Sequence, residues 1–525
     1  MTSNQYDVLI VGCGPAGATL ANLLRLRGRS VAIFDRDLEV FHAPRAMMLD
    51  AESCRLYASM GILDRMIPED ASPFEDHRFV DENRRLLMHV DLRRSPQVEG
   101  QPAAGMMFHQ PTLEALLRDD FAKGSGVDAY LGHEVVEVDG SGDAARLLAR
   151  GPDGGDPVEY RGQFLVGADG GASLCRRTIG ANRVDLDYQR SWVVMDVVVH
   201  DQELFDSLDE GSEFKCRPNS AVVFVKGHRN HVRFDFEAGD RAEEFGEEDA
   251  RRLIAEYIDP TSCEIVRRQP YLFYAGLPDR WRSGRLLLVG DAAHQTSPFA
   301  GQGLNMGIRD AANLAFKIDL VCRGVAGPGL LDTYQEERWS NCAHLIRGAS
   351  RRGKMISASN PFAILARNLS FWVGRKSERL SLEMTRKMSS FVPYEAGLIG
   401  AGRAAGSRMP QPFVAVEGHP RGLDEVLGMD FALVSSKVAV GADVDWFEAE
   451  LCGTLVEMGT ALADPGGGLV EWLRSHDASC VLIRPDRYVF DASNDANELC
   501  RGLREQLQAF GTSEGADARS HGSPQ

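Results

Sequence analysis

Three short glycine-bearing segments carry the residue types that can hold a phosphorylated cofactor. The first is Gly12-Cys13-Gly14-Pro15-Ala16-Gly17, which follows the apolar run Tyr6 to Val11. Gly12 permits a tight turn, Gly14 lets a backbone approach a pyrophosphate, and Gly17 allows close packing of helix on strand. A helix opening at Pro15 and Ala16 offers unpaired N–H groups and partial positive charge to phosphates. The next strand-like run, Ser30 to Phe34, ends at Asp35, whose carboxylate can accept from ribose hydroxyls; Arg36 beside it is assigned to the same site. This turn leaves NAD and FAD both open.

The second segment is Val166-Gly167-Ala168-Asp169-Gly170, followed by Ser173 and Arg176. The third runs from Leu286 through Gly290, Asp291, Ala292, Ala293 and His294 to Pro298 and Gly301-Gln302-Gly303-Leu304-Asn305. It reads as a buried strand delivering a carboxylate to a glycine corner, then a glycine loop feeding a helix that carries Asp310, Asn313 and Lys317. His294 is read as a packing or capping residue rather than a base, and Cys13 as a small turn residue. No metal-ligand spacing is present, so no metal is expected.

These motifs need strands and helices to position them. Residues 5 to 35 read as strand, turn, helix, strand, while alternating β-branched and aromatic residues between 185 and 280 predict a largely antiparallel sheet. Residues 305 to 390 read as helical. The run Gly400, Gly402, Gly406, Pro410, Pro412 reads as a linker to a separate small unit. The chain has 525 residues and a net charge of −18. That acidity argues against nucleic-acid binding. No apolar stretch is long enough to span a bilayer, and there is no signal peptide, so a cytoplasmic location is expected. Ten scattered Cys without a CxxC pair read as reduced core residues. The basic positions Arg347, Arg351, Arg352, Lys354, Arg375 and Lys376 read as the wet face of helices.

In order and spacing the three segments resemble the class A FAD-dependent aromatic monooxygenases, the phenol and para-hydroxybenzoate hydroxylase group. Pro44-Arg45-Ala46-Met47-Met48-Leu49-Asp50-Ala51-Glu52 and Phe108-His109-Gln110-Pro111-Thr112-Leu113-Glu114 are similar to the 3-(3-hydroxyphenyl)propionate hydroxylase branch and its polyketide-tailoring relatives. Leu482-Ile483-Arg484-Pro485-Asp486-Arg487-Tyr488-Val489 resembles the end of that family's thioredoxin-like domain. The resemblance implies an α/β fold: a Rossmann-like FAD-binding domain, an interleaved, largely antiparallel substrate-binding sheet, a helical segment and a thioredoxin-like C-terminal domain. The expected limits are 1–75, 105–185 and 280–345 for FAD binding, and 76–104 and 186–279 for substrate. The helical segment is 346–400, the C-terminal domain 405–512 and a disordered tail 513–525.

The resemblance also implies residue roles. Gly12, Gly14 and Gly17 would face the FAD pyrophosphate and Asp35 the adenosine ribose, where Glu is more usual. Arg45 and Gln110 would contact the middle of the cofactor, and Asp169 belongs to the motif linked to both FAD and the nicotinamide donor. Asp291 would bond the ribityl chain, Pro298 would lie beside the reacting flavin edge, and Gly301, Gly303, Leu304 and Asn305 would address the pyrimidine edge. The implied activity is hydroxylation of a small phenol through a flavin C4a-hydroperoxide, with FAD bound, NADH or NADPH as donor and O2 as co-substrate. A tailoring oxygenase acting on a polycyclic or heteroaromatic intermediate, a flavin oxidase or dehydrogenase, and a non-catalytic flavoprotein are the alternatives; a homodimer is left open. In Arg233-Phe234-Asp235-Phe236, Arg233 and Asp235 share one strand face. They read either as groups that bind or deprotonate a phenol or as a solvated ion pair; Tyr271 and Tyr274 are further candidates.

Overall fold

The computed structural model describes residues 4–74, 76–91, 105–376, 392–459 and 462–511; the expected tail lies outside them. The first sheet runs in the order Arg282–Ser283, Leu286–Leu288, Val158–Gly167, Gln5–Val11, Val31–Asp35, Val127–Leu131. Ala145–Arg150 and Glu134–Asp139 extend it as an antiparallel flap. Its central strands are nearly unbroken apolar runs because both faces are covered: Val8, Leu9, Ile10, Leu165 and Leu287 have no exposed surface. The helices Pro15–Leu26 and Gln302–Cys322 pack against each other.

Strand order explains why three motifs far apart in sequence meet. The strands preceding them are neighbours, with Val11 opposite Gly167 and Gly167 opposite Leu288. All three turns therefore leave the sheet at the same level, at the carboxyl ends of parallel strands, where α/β folds place their ligands.

The second sheet has seven strands, ordered Cys263–Pro278, Arg183–Val199, His231–Glu237, Val222–Lys226, Ser212–Lys215, Asp76–Val80, Leu86–Asp91. It is antiparallel apart from one parallel pair, Ser212–Lys215 with Asp76–Val80. Alternation divides its residues. Val193, Met195, Phe224, Val232 and Phe234 pack outward against the helix Glu247–Ile254. Trp192, Val223, Phe214 and Phe79 face inward and join the main core. Two expected limits fall inside elements: 185/186 lies within the strand Arg183–Val199 and 345/346 within the helix Asp332–Ile356. The first lies at an irregularity in the strand's pairing between Asp185 and Gln189, and the second carries no local breaker.

The C-terminal unit has the strand order Thr454–Glu457, Ala432–Ser435, Cys480–Ile483, Val489–Ser493, with the first pair parallel and the others antiparallel. With its interspersed helices this is a thioredoxin-like arrangement. The glycine-rich stretch before it is not a free linker. Gly400 and Gly406 donate to the carbonyls of Phe490 and Val489 at 2.8 and 2.9 Å, and Tyr394 stacks on Tyr488. Glycine is needed there because a Cβ on Gly400 or Gly402 would collide with Asp491.

A buried ionic cluster joins this unit to the rest. Arg484 donates to both carboxylate oxygens of Glu337, at 2.9 and 2.6 Å, and Lys317 and Asn313 reach the same carboxylate. Burial alone would raise the Glu337 pKa, but Arg484 and Lys317 pull it down to about 2. Glu337→Ala leaves the buried Lys317 without its counter-charge and Arg484 with Asp486 alone. The expected cost is about 3–5 kcal/mol, seen as a lowered melting temperature; an unchanged melting temperature would show that the cluster is not a structural anchor.

Candidate active site

At the first turn, Gly12 adopts φ +102° and Gly17 packs against it; a Cβ on Gly12 would strike the Ala168 carbonyl, and one on Gly17 the Gly12 carbonyl. The two turns are thus in backbone contact. Gly14 differs: a Cβ built there meets nothing within 4 Å. Open space lies in front of a helix start with Pro15 in its first turn and no side-chain cap. Uncapped N–H groups facing open space suit a phosphate. Asp35 holds the turn's shape, accepting from the Cys13 N–H at 2.6 Å and from Asp37 at 2.9 Å. Arg36 is exposed.

Asp169 is half-buried. Its carboxylate accepts from the Ser173 hydroxyl at 2.5 Å and the Cys175 N–H at 3.0 Å, fixing the start of the helix Leu174–Ile179. Arg176 of that helix donates to the carbonyls of Ala292 and Gly171, tying the second turn to the third.

The third turn offers Asp291. Its side chain is open to solvent and has no protein partner among the described residues. It sits at the bottom of a cleft, where burial raises its pKa and His294, Arg45 and Arg176 oppose the rise. A cavity of about 230 Å³ beside it is lined by Arg176, Arg183, His294 and Gln295 among others. Behind it, Asp310 receives His294 Nε2 at 2.6 Å, Arg338 Nε at 2.9 Å and the Gly290 N–H at 3.1 Å. His294 is accordingly a buried partner of Asp310. Burial lowers its pKa, but Cys342 and Asp310 more than offset this and push it up to about 10.

After Pro298, Gly301 turns with φ +58° into the helix Gln302–Cys322, again without a side-chain cap. Gly303 and Leu304 sit in its uncapped first turn. Asn305 is a strap: its amide donates to the carbonyls of Met48 (3.0 Å) and Gly301 (2.6 Å) and accepts from the Asp50 N–H. Gln110 also works through backbone. Its carbonyl accepts from the N–H groups of Arg45 and Ala46 at 2.8 and 2.6 Å, and its amide donates to Glu114. The exposed Arg45 guanidinium lies 4.9 Å from the Phe41 ring centre.

Arg233 and Asp235 do share a face, but they are buried and do not form a solvated pair. Arg233 bonds Asp196 at 2.8 Å and donates to the carbonyls of Pro44 and Arg45, so it clamps the sheet onto the Arg45 loop. Asp235 is left with Oδ1 unpartnered. Burial pushes its pKa up to about 6, Arg233 working against this and Asp196 with it. Near Pro298, Phe299 packs between Trp192 (4.7 Å), Tyr188 (5.9 Å) and Phe273 (6.4 Å). Tyr271 is partly exposed beside Phe273, and Tyr274 lies under the Arg183 guanidinium, away from Asp235's face. Sequence reasoning missed Asp196, Glu114 and Arg338. Asp196 has a signal, a lone acid in the apolar strand Val193–Val199; Arg338 has none.

The open space at Gly14, the two uncapped helix starts and the unpartnered Asp291 fit FAD: phosphates, pyrimidine edge and ribityl hydroxyls would meet donors, donors and an acceptor respectively. Asp291→Ala is expected to remove a charge-assisted hydrogen bond of about 1.5–3 kcal/mol. FAD affinity then falls about 10- to 150-fold, measured as the dissociation constant of the flavin; an unchanged constant would remove Asp291 from the site.

Comparison with known proteins agrees with this geometry. A family profile described as "FAD binding domain" matches residues 5–349, and one described as "HcaD C-terminal domain" matches 406–506. The chain is 31% identical over 521 residues to a "Probable NADH-specific resorcinol 4-hydroxylase" of Rhodococcus jostii (strain RHA1), covering 96% of this chain and 94% of that one. It is 30% identical over 538 residues to a 3-(3-hydroxy-phenyl)propionate/3-hydroxycinnamic acid hydroxylase of Burkholderia cenocepacia (strain HI2424), covering 97% of each. Among solved structures, aklavinone-11 hydroxylase with FAD and aklavinone superposes with a TM-score of 0.78 at 23% identity, over 96% of this chain and 100% of that one. PieE with FAD and substrate gives 0.78 at 22% identity, over 96% and 99%. The chain belongs to the class A FAD-dependent monooxygenases, aromatic hydroxylases that draw electrons from NAD(P)H.

Proposed function

We propose that this enzyme hydroxylates a small phenol held between the inner face of the seven-stranded sheet and the Pro298–Phe299 segment, with Asp235 accepting the phenol proton. When bound, FAD supplies electron transfer from the nicotinamide and delivery of one dioxygen atom to the ring. The chain's own residues do the rest. Trp192, Tyr188 and Phe273 pack around Phe299 and keep water out. Arg233 fixes the Arg45 loop over the sheet. Asp235 holds the proton that must leave the phenol for the ring to become electron-rich.

The observation that carries this reading is the under-partnered Asp235, nine-tenths buried on a face that looks toward Phe299. An acid whose pKa sits near 6 is ionised at neutral pH and still basic enough to take a proton. The small-phenol class is supported by the two relatives near 30% identity, each named for a compact phenolic substrate; the tailoring enzymes are more distant and support the fold. All ten cysteines are unpaired, and no helix among the described residues is long and apolar enough to cross a membrane; a cytoplasmic location is part of the proposal. So is a homodimer, supported by the exposed apolar residues Phe362, Leu365, Leu369 and Trp372 on the helix Pro361–Lys376.

NADH or NADPH consumption by the yellow holoenzyme should rise when a small phenol is added, with oxygen recovered in the product. Turnover giving peroxide alone would favour an oxidase. Asp235→Asn should slow hydroxylation by roughly 10²- to 10⁴-fold with flavin binding intact. It should also abolish the rise in rate with pH through about 6 expected of the wild type; wild-type rates and pH profile would remove Asp235 from the chemistry. Stability gives an independent reading. Between pH 3.8 and about 6 the folded state binds the proton more tightly than the unfolded state, so stability falls as pH rises through that window. At pH 8, Asp235→Asn should be more stable than the wild type by about 3 kcal/mol, at 1.36 kcal/mol per pKa unit; no gain would show that Asp235 is solvated.

A further inference from the structure

The helix Pro361–Lys376 is held to the protein by one side. Its buried residues are Arg367, Phe371 and Gly374. Phe371 packs on Phe79 of the second sheet, ring centres 5.1 Å apart, and Arg367 donates to Asn368 and the Met355 carbonyl. The opposite side is apolar and open: Phe362, Leu365, Leu369 and Trp372 are 82, 66, 56 and 57% exposed. These four recur at intervals of three, four and three residues, the spacing of a helix–helix seam. Ala363, Ala366 and Ser370 run alongside and are also exposed. They are small enough to let a second helix approach to about 8–10 Å.

Exposed apolar residues scattered singly are ordinary, whereas a continuous stripe marks a contact surface. Taking about 200 Å² for a whole large apolar residue, the four present roughly 500 Å². Val373 and Leu86 extend its edge; the Leu86 carbonyl accepts from Arg375 of the same helix. Two such stripes face to face bury about 1,000 Å², the lower bound of a specific interface. The only charged residue from 361 to 374 is the buried Arg367, and interface cores are likewise poor in charge and rich in aromatics. A helix lying on a membrane carries its bases along a polar flank. Here the exposed bases are gathered at one end, Arg375 and Lys376, and the chain's net charge of −18 repels an anionic surface.

The stripe has the same order read from either end: aromatic, leucine, leucine, aromatic. Phe362 and Trp372 stand five residues to each side of position 367, and Leu365 and Leu369 two residues to each side. In a two-fold interface residue i meets j and j meets i, so such a row pairs aromatic with aromatic and leucine with leucine in both halves. We propose that two copies of this chain pair through the helix Pro361–Lys376, antiparallel and crossing at residue 367, each Phe362 on the partner's Trp372 and each Leu365 on the partner's Leu369. This rests on the homodimer reading above and gives it a surface and a register. The crossing sets Arg375 and Lys376 against the uncharged segment before Pro361 of the other copy. A parallel pair would instead bring the bases of both copies together.

The test is sedimentation velocity of the FAD-loaded protein over a concentration series. The wild type should sediment with the mass of two chains. Leu365→Glu or Leu369→Lys alone sets a charge against a leucine twice in the dimer. Each should weaken association about 100-fold or more, with flavin content and melting temperature unchanged. Mixing the two variants brings the new acid onto the new base at one contact and restores leucine on leucine at the other. The mixed dimer should therefore form at least about 10-fold more tightly than either variant with itself. A wild type that stays monomeric overturns both the homodimer and this surface; its co-sedimentation with phosphatidylglycerol vesicles would give the stripe to a membrane instead. A dimer that survives both substitutions overturns the surface and leaves the homodimer to another face. Variants that dissociate and do not recover on mixing overturn the register.

Discussion

A carboxylate shut away from water must be surrounded by donors, and Asp310 is the one on which this architecture turns. It has no exposed surface, and it gathers the Gly290 N–H, the His294 ring and the Arg338 guanidinium. Those three groups belong to the cofactor turn and to the long helix Asp332–Ile356. Asp310 itself belongs to the helix Gln302–Cys322, whose uncapped start would address the cofactor. Because isolated buried charge is so costly, the turn cannot drift from the helix without exposing a net charge to an apolar interior. Arg338 adjoins Glu337, which holds Arg484 of the C-terminal unit. The domain without a redox cysteine pair is thus wired to the helix that carries the cofactor turn.

The second sheet is attached to that turn system by a different device. Arg233 spends its guanidinium on Asp196 and on two backbone carbonyls of the Pro44–Arg45 segment. Gln110 holds the N–H groups of the same segment from the other side. A loop whose donors and acceptors are both engaged by buried side chains has little freedom. The gap between sheet and cofactor turn is therefore set by hydrogen bonds on the backbone, and side chains lining it can vary without altering its width.

How much of this was legible in the sequence follows from the range of the interactions involved. The three turns declare themselves because glycine spacing reflects local backbone geometry, and the strands feeding them are apolar on both faces. The inward face of Arg233 and Asp235 follows from strand alternation. Their partners did not, since Asp196 and the Pro44 carbonyl are brought to Arg233 by pairing across 37 and 189 positions. The glycine-rich stretch near residue 400 reads as a linker because glycine permits both freedom and close approach. Only the position of Asp491 decides that close approach is its use. Gln110 and Asn305, read from resemblance as cofactor contacts, also hold backbone with their side chains, which only the folded chain shows.

The buried acids of the frame and those of the second sheet differ in how their charge is met. Both oxygens of Asp310 and both of Glu337 have donors, and burial is matched by charge of the opposite sign. Burial draws Asp235 the other way, with a raised pKa and an unpartnered oxygen, and Glu237 beside it also has an oxygen unpartnered. Folding alone favours exchanging both for apolar residues, as it would at any under-satisfied core position. Acids of the first kind build the frame. Acids of the second kind oppose folding wherever no ligand meets them, so a complete account of this sheet has to include the molecule that fits against it.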